Sequence, residues 1–150
     1  MDKKAFQKSL REMQGIPCAF AKILLARRCE CECAERFAIA EREGIRCASR
    51  LAQSDCVSLL TVLHEQARFA LGMTEVPASL PHSKELKIQG GGLEGLKQVV
   101  HGSAQTPGVE NVHSLVSLVE KQFGGFNALP TEEIIRAIAT YQVRRPRQSR

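Results

Sequence analysis

Apolar residues recur at helical spacing along nearly every long segment of this chain, and that period limits the folds open to it. Side chains that reappear every three or four positions are buried together only if the backbone winds into a helix and turns one face inward. Phe6, Leu10 and Met13 form a narrow stripe on a first helix that Gly15 stops. Pro17 suits the first turn of a second helix, which runs through Phe20, Ile23, Leu24 and Leu25 and past the cysteines towards Ala40, with Gly44 as its end. A third starts near Ser49 or Ser54 and carries Cys56, Leu60, Leu63, Ala67 and Leu71 on one face up to Gly72. Pro77 and Pro81 mark a connection, and Gly90-Gly91-Gly92 breaks the chain before a helix from about Leu93 to Val100. Thr106-Pro107 reads as a cap and first turn for a helix bearing Val109, Val112, Val116, Val119 and Phe123, closed by Gly124-Gly125. Thr131 caps the last helix, with Glu132 and Glu133 at its positive end and Ile134, Ile135, Ile138 and Tyr141 facing inward.

The period therefore predicts an all-α fold, a compact five- to six-helix bundle-like domain over residues 1–143, with a soft boundary at 73–92 and a basic flexible tail over 144–150. With 150 residues the chain is long enough to bury a core without cysteine staples. Its charged start, Met1-Asp2-Lys3-Lys4, has no apolar run behind it, which points to a cytoplasmic protein that does not meet the membrane. In a reducing compartment thiols are metal ligands, catalysts or core residues more often than disulfides.

The net charge of +5 gathers at the C-terminus, where Arg144, Arg145, Arg147 and Arg150 surround Pro146. Such a tail could meet an acidic protein partner or nucleic acid, although the chain lacks Trp and has the single Tyr141 with which to stack on bases.

The chemical lead is the thiols. Cys29, Cys31, Cys33, Cys47 and Cys56 crowd one window, the first three alternating with Glu30 and Glu32. At about 100° per residue, Cys29 and Cys33 share a helical face while Cys31 points almost oppositely. A continuous helix cannot aim all three at one ion; if they act together, the backbone must unwind there. The economical ligand set is Cys29, Cys33, Cys47 and Cys56, with Cys31 and Cys18 in reserve, their sulfurs about 4–7 Å apart around an iron–sulfur cluster or, alternatively, Zn. Soft thiolates select these centres over hard cations. The usual C-x-x-C pair is absent, so spacing does not name the metal. Arg27, Arg28, Arg36, Arg46 and Arg50 are close enough in sequence to favour ionised thiols. Cys56 and Cys18 also sit among apolar neighbours, and cysteine is a common small core residue.

Other motifs are weaker. Gly90-Gly91-Gly92-Leu93-Glu94-Gly95 matches G-x-G-x-x-G in letters, but the strands of a dinucleotide-binding unit are missing, and Leu96 stands where a phosphate loop needs lysine. His82, His101 and His113 assemble no site by spacing, and His64 alone, two turns after Cys56, is placed to join a nearby centre. With no base–nucleophile pair legible, the sequence favours a non-enzymatic, cysteine-rich metal-binding protein acting in electron transfer, sensing or maturation. The competing expectation is a helical interaction or regulatory module with core cysteines and a basic tail that contacts acidic partners or nucleic acid.

Overall fold

Among the described residues the helical period holds from Arg50 onwards and fails before it. The computed structural model describes residues 15–72, 81–102 and 106–143, so the stripe Phe6, Leu10, Met13 and the arginine tail lie outside the described residues. Within them, five helices and a two-stranded antiparallel sheet follow in the order α1 (Ala21–Leu25), β1 (Ala34–Ile39), β2 (Arg42–Cys47), α2 (Arg50–Ala70), α3 (His82–His101), α4 (Val112–Phe123) and α5 (Thr131–Thr140). The fold is a small mixed α/β domain, which corrects the expected all-α bundle.

The expected long helix from Pro17 to Ala40 is one short helix and a strand. Its winding stops after Leu25 because Arg27 takes a left-handed conformation, φ 60°. The next residues then pair with a distant loop, Glu30 N–H donating to Val109 O and Val112 N–H to Glu30 O, each at 2.9 Å. Beyond this, β1 and β2 form a hairpin in the register Ala34↔Cys47 to Ile39↔Arg42, turned by Ala40 and Glu41 with Ala40 at φ 55°. Alanine, glutamate and arginine favour helices by only tenths of a kcal/mol per residue, which tertiary pairing readily outweighs. Burial of Phe37 and Ile45 holds the hairpin. Phe37 faces Gly44 in the register, and a Cβ on Gly44 would come within 2.8 Å of its Cε2, so glycine leaves the ring room to lie flat across the strand. Arg46 covers the ring, its guanidinium carbon 5.8 Å from the centroid.

The long helices follow the sequence more closely. Ser49 caps α2, its Oγ accepting from Ala52 N–H at 3.2 Å, and Gly72 follows the helix at φ 64°. Gly124, at φ 67°, ends α4. Two expected caps do not form. Thr106 and Pro107 precede an irregular stretch, α4 starting only at Val112, and Thr131 is the first residue of α5 with its hydroxyl directed at Leu129 O.

The glycine run is no break. α3 passes straight through Gly90, Gly91 and Gly92 and packs against α1, α2, α4 and α5. A Cβ on Gly91 would stand 2.6 Å from Ile138 Cα, one on Gly92 2.6 Å from Leu63 Cδ1 and one on Gly95 2.9 Å from Ala137 Cβ, so the glycines form the groove in which α5 and α2 lie. The helix propensity they forfeit, about 1 kcal/mol each, is offset by the burial this close crossing allows. Leu59, Leu63, Ile88, Leu93, Leu96, Ile134 and Ile138 are all fully buried around it, each contributing about 1.5–3 kcal/mol.

Candidate metal centre

Five thiols meet on one side of the hairpin. Cys18, Cys31, Cys33, Cys47 and Cys56 line a single small cavity of about 20 Å³, walled also by Phe20, Leu24, Ala52, Val112 and His113. A space of that size takes a water-sized occupant.

Each thiol is delivered by backbone pairing. Ile16 O accepts from Cys47 N–H at 2.7 Å and Pro17 bridges to Arg46, so the entry strand of the chain lies beside β2 and brings Cys18 next to Cys47. Cys33 O accepts from Ala48 N–H at 2.7 Å, and a turn closed by Ala34 N–H to Cys31 O at 3.1 Å sets Cys31 beside it. Cys47 ends β2, its thiol donating to Ser49 O at 3.2 Å. Cys56 comes from the second turn of α2, which Ser49 starts.

Of the thiols picked from spacing, Cys33, Cys47 and Cys56 come together and Cys29 does not. Cys29 is 4% exposed, pairs in a short bridge with Val109 and belongs to the main core. The helical wheel paired it with Cys33 because it assumed a helix where the chain is extended. Cys31, which that wheel pointed away, and Cys18, the other reserve, line the cavity with Cys33, Cys47 and Cys56.

The cavity is dry enough to hold thiols neutral. Burial pushes Cys56 up to about 12, with Cys31, Cys18 and Cys47 adding to the effect. Burial likewise raises Cys18 to about 11, against a hydrogen bond from the Phe20 backbone and with Cys31 and Cys47 adding to the rise. Cys33, nearer the surface, is raised by desolvation and then by Cys31 and Cys47. These mutual effects set Cys18, Cys31, Cys47 and Cys56 within electrostatic reach of one another, with Cys33 at their edge.

Four of the five arginines are engaged with other groups. Arg27 meets Glu43 at 3.6 Å, Arg36 meets Glu30 at 3.7 Å and Arg46 meets Glu35 at 3.3 Å. Arg28 turns the other way, donating to Tyr141 Oη at 3.1 Å and Gln142 O at 2.8 Å. His64 is also engaged elsewhere, Nε2 lying 2.9 and 3.0 Å from the carboxylate oxygens of buried Glu85.

The rim of the cavity holds a group the sequence does not disclose. Ligand atoms of Glu32, Cys33 and His113 all lie within 4.8 Å of one another, and among the described residues no other such group of three occurs. Hence no three cysteine sulfurs approach that closely. His113 Nδ1 is 2.6 Å from Glu32 Oε1, and the hydrogen bonds from His113 and then Asn111 hold the Glu32 carboxyl below the usual range. Glu32 and His113 are 81 positions apart, and no local pattern could have joined them.

No protein-family model matches the chain, and neither a curated protein nor a solved structure is found similar to it. Among the described residues no helix is long and apolar enough to cross a membrane.

Proposed function

We propose that the chain is a metal-binding protein whose thiolates Cys18, Cys31, Cys47 and Cys56 hold an iron–sulfur cluster serving electron transfer, sensing or maturation. The observation that carries this reading is the convergence of five thiols from four separate segments on one small cavity. Cys18, Cys31 and Cys56 also pack against the main core, and the buried Cys29 alone lies outside the cavity.

Burial that raises the thiols to about 11 and 12 argues against thiol-transfer chemistry, because the thiolate is the nucleophile. A metal instead displaces the protons and supplies the positive charge that the site lacks. No three of the sulfurs lie within 4.8 Å of one another, wider than a single ion requires, and the walls of the cavity of about 20 Å³ must part to admit a cluster. One tetrahedral ion with Zn–S bonds of about 2.3 Å needs its sulfurs about 3.8 Å apart, whereas thiolates on different irons of a cluster stand further from one another.

Anaerobic purification followed by iron, zinc and acid-labile sulfide analysis tests the reading. Iron and sulfide in equal amounts, with a brown charge-transfer absorption lost in Cys18→Ser and Cys56→Ser, is the expected result. Stoichiometric zinc without sulfide overturns the cluster, and a colourless, folded, metal-free protein overturns the centre.

A further inference from the structure

We propose that Glu32, Cys33 and His113 form a second, solvent-facing site that binds one thiophilic divalent cation at the mouth of the cysteine cavity. This deepens the reading above, and rests on it for the direction in which the ion travels but not for the binding itself.

The donors are one carboxylate oxygen, one sulfur and one imidazole nitrogen, mutually within 4.8 Å. That mixed set suits Zn²⁺, Co²⁺ or Fe²⁺ and leaves at least one coordination position open, as in exchangeable sites rather than closed structural ones. The group is built rather than accidental. Glu30 is clamped between Val109 and Val112 by two backbone hydrogen bonds of 2.9 Å, and Asn111 Oδ1 accepts from Glu32 N–H at 3.1 Å. These bonds register the loop that carries Glu32 and Cys33 against the first turn of α4, which carries His113. The side chains of Glu32 and His113 are 56% and 35% exposed, so an ion reaches them from solvent.

The position is telling. Cys33 and His113 also line the thiol cavity, and Cys33 adjoins Cys31. An ion held on the rim can keep its bond to Cys33 sulfur while its bonds to Glu32 oxygen and His113 nitrogen are exchanged for bonds to Cys31 and Cys47 sulfur. Cys33 releases its proton to solvent when the ion first binds, Cys31 and Cys47 release theirs as it moves inward, the freed carboxylate and imidazole return to their mutual hydrogen bond, and no electron is transferred. The rim thus serves as a loading site for the cation alone, and the sulfide of a cluster comes to the buried thiols from a separate sulfide donor.

Co²⁺ titration under reducing conditions reads the rim separately, since thiolate-bound Co²⁺ shows an intense charge-transfer band. In the Cys18→Ser/Cys56→Ser protein, where the buried centre lacks half of its ligands, one equivalent should still bind, and His113→Gln or Glu32→Gln added to it should weaken that binding at least ten-fold. His113→Gln keeps a hydrogen-bond donor for Glu32, and circular dichroism of each variant reports its folding. Should the double variant fail to fold, His113→Gln in the otherwise unaltered chain should lower the Co²⁺ stoichiometry by one. Binding that is absent, or indifferent to His113 and Glu32, overturns the rim site whatever the buried cavity holds. Rim binding in a protein whose cavity takes up neither iron nor zinc would instead overturn the buried centre alone.

Discussion

Gly91 lies directly against Ile138. Ile138 Cα stands 2.6 Å from the point a Gly91 Cβ would occupy, and Ala137 O 3.0 Å from it, so α3 and α5 meet backbone to backbone. Its neighbours point to either side of that crossing, Gly92 at Leu63 and Gly90 at the ring of Tyr141.

Gly91→Ala should therefore destabilise the protein although alanine is the better helix former. Propensity returns about 1 kcal/mol, but overpacking against main chain that cannot swing aside costs about 1–3 kcal/mol or more. The net change should appear as a fall of several degrees in thermal midpoint, at about 4 °C per kcal/mol. Gly92→Ala meets only the branched end of Leu63 and should cost less. A rise in midpoint for Gly91→Ala would show the crossing to be looser than described.

The cysteines should separate into two kinds. Cys29→Ala removes a buried core sulfur and should cost about 1 kcal/mol of stability while leaving metal content intact. Cys56→Ser should abolish the iron and sulfide of the buried centre and leave only the cation of the rim site. Thermal melts of the metal-free proteins beside elemental analysis of the loaded ones check the division, and loss of metal in Cys29→Ala would contradict it.

Acid should loosen the contact between α2 and α3 through Glu85. Burial tends to raise this carboxyl, but hydrogen bonds from His64 and Gln89 outweigh it and leave the folded value below the usual 4.5. The unfolded chain thus takes up a proton before the folded one does. The network's stabilisation is complete above about pH 4.5 and is lost as pH falls through the lower folded value. Denaturant unfolding at a series of pH values should show this acid limb in the native protein and a shallower one in Glu85→Gln. Glu85→Ala, which leaves Gln89 and His64 without their acceptor, should cost about 1–3 kcal/mol at neutral pH.

Arg28 fastens the segment after α5. It donates to Tyr141 Oη, Gln142 O and Val143 O, and its guanidinium carbon lies 5.6 Å from the Tyr141 ring centroid. Arg28→Ala should cost about 1–2 kcal/mol from the lost hydrogen bonds and ring contact. Tyr141→Phe keeps the ring and should cost less than half of that. Hydrogen exchange at residues 141–143 should quicken in Arg28→Ala and stay near native in Tyr141→Phe.

By itself the sequence determined the parts whose instructions are local. The apolar stripe from Cys56 to Leu71, the hydroxyl of Ser49, and the glycines at 72 and 124 gave α2 and the end of α4 directly, because a helix hydrogen-bonds within itself and its caps are neighbours in the chain. The crowding of thiols was legible too. Tertiary structure alone decided the rest, since the energies involved come from residues far apart. The run Ala34–Cys47, rich in helix formers, became a hairpin because Phe37 found Gly44 and Ile45 found the core. The glycines of α3, which read locally as a break, became a helix because α5 needed their space. Cys29 left the thiols and Cys18 joined them once residues 29–32 paired with 109–112 and residues 16–17 with β2. A wheel drawn on one helix cannot foresee thiols gathered from four pieces of chain, nor a histidine brought beside them across 81 positions.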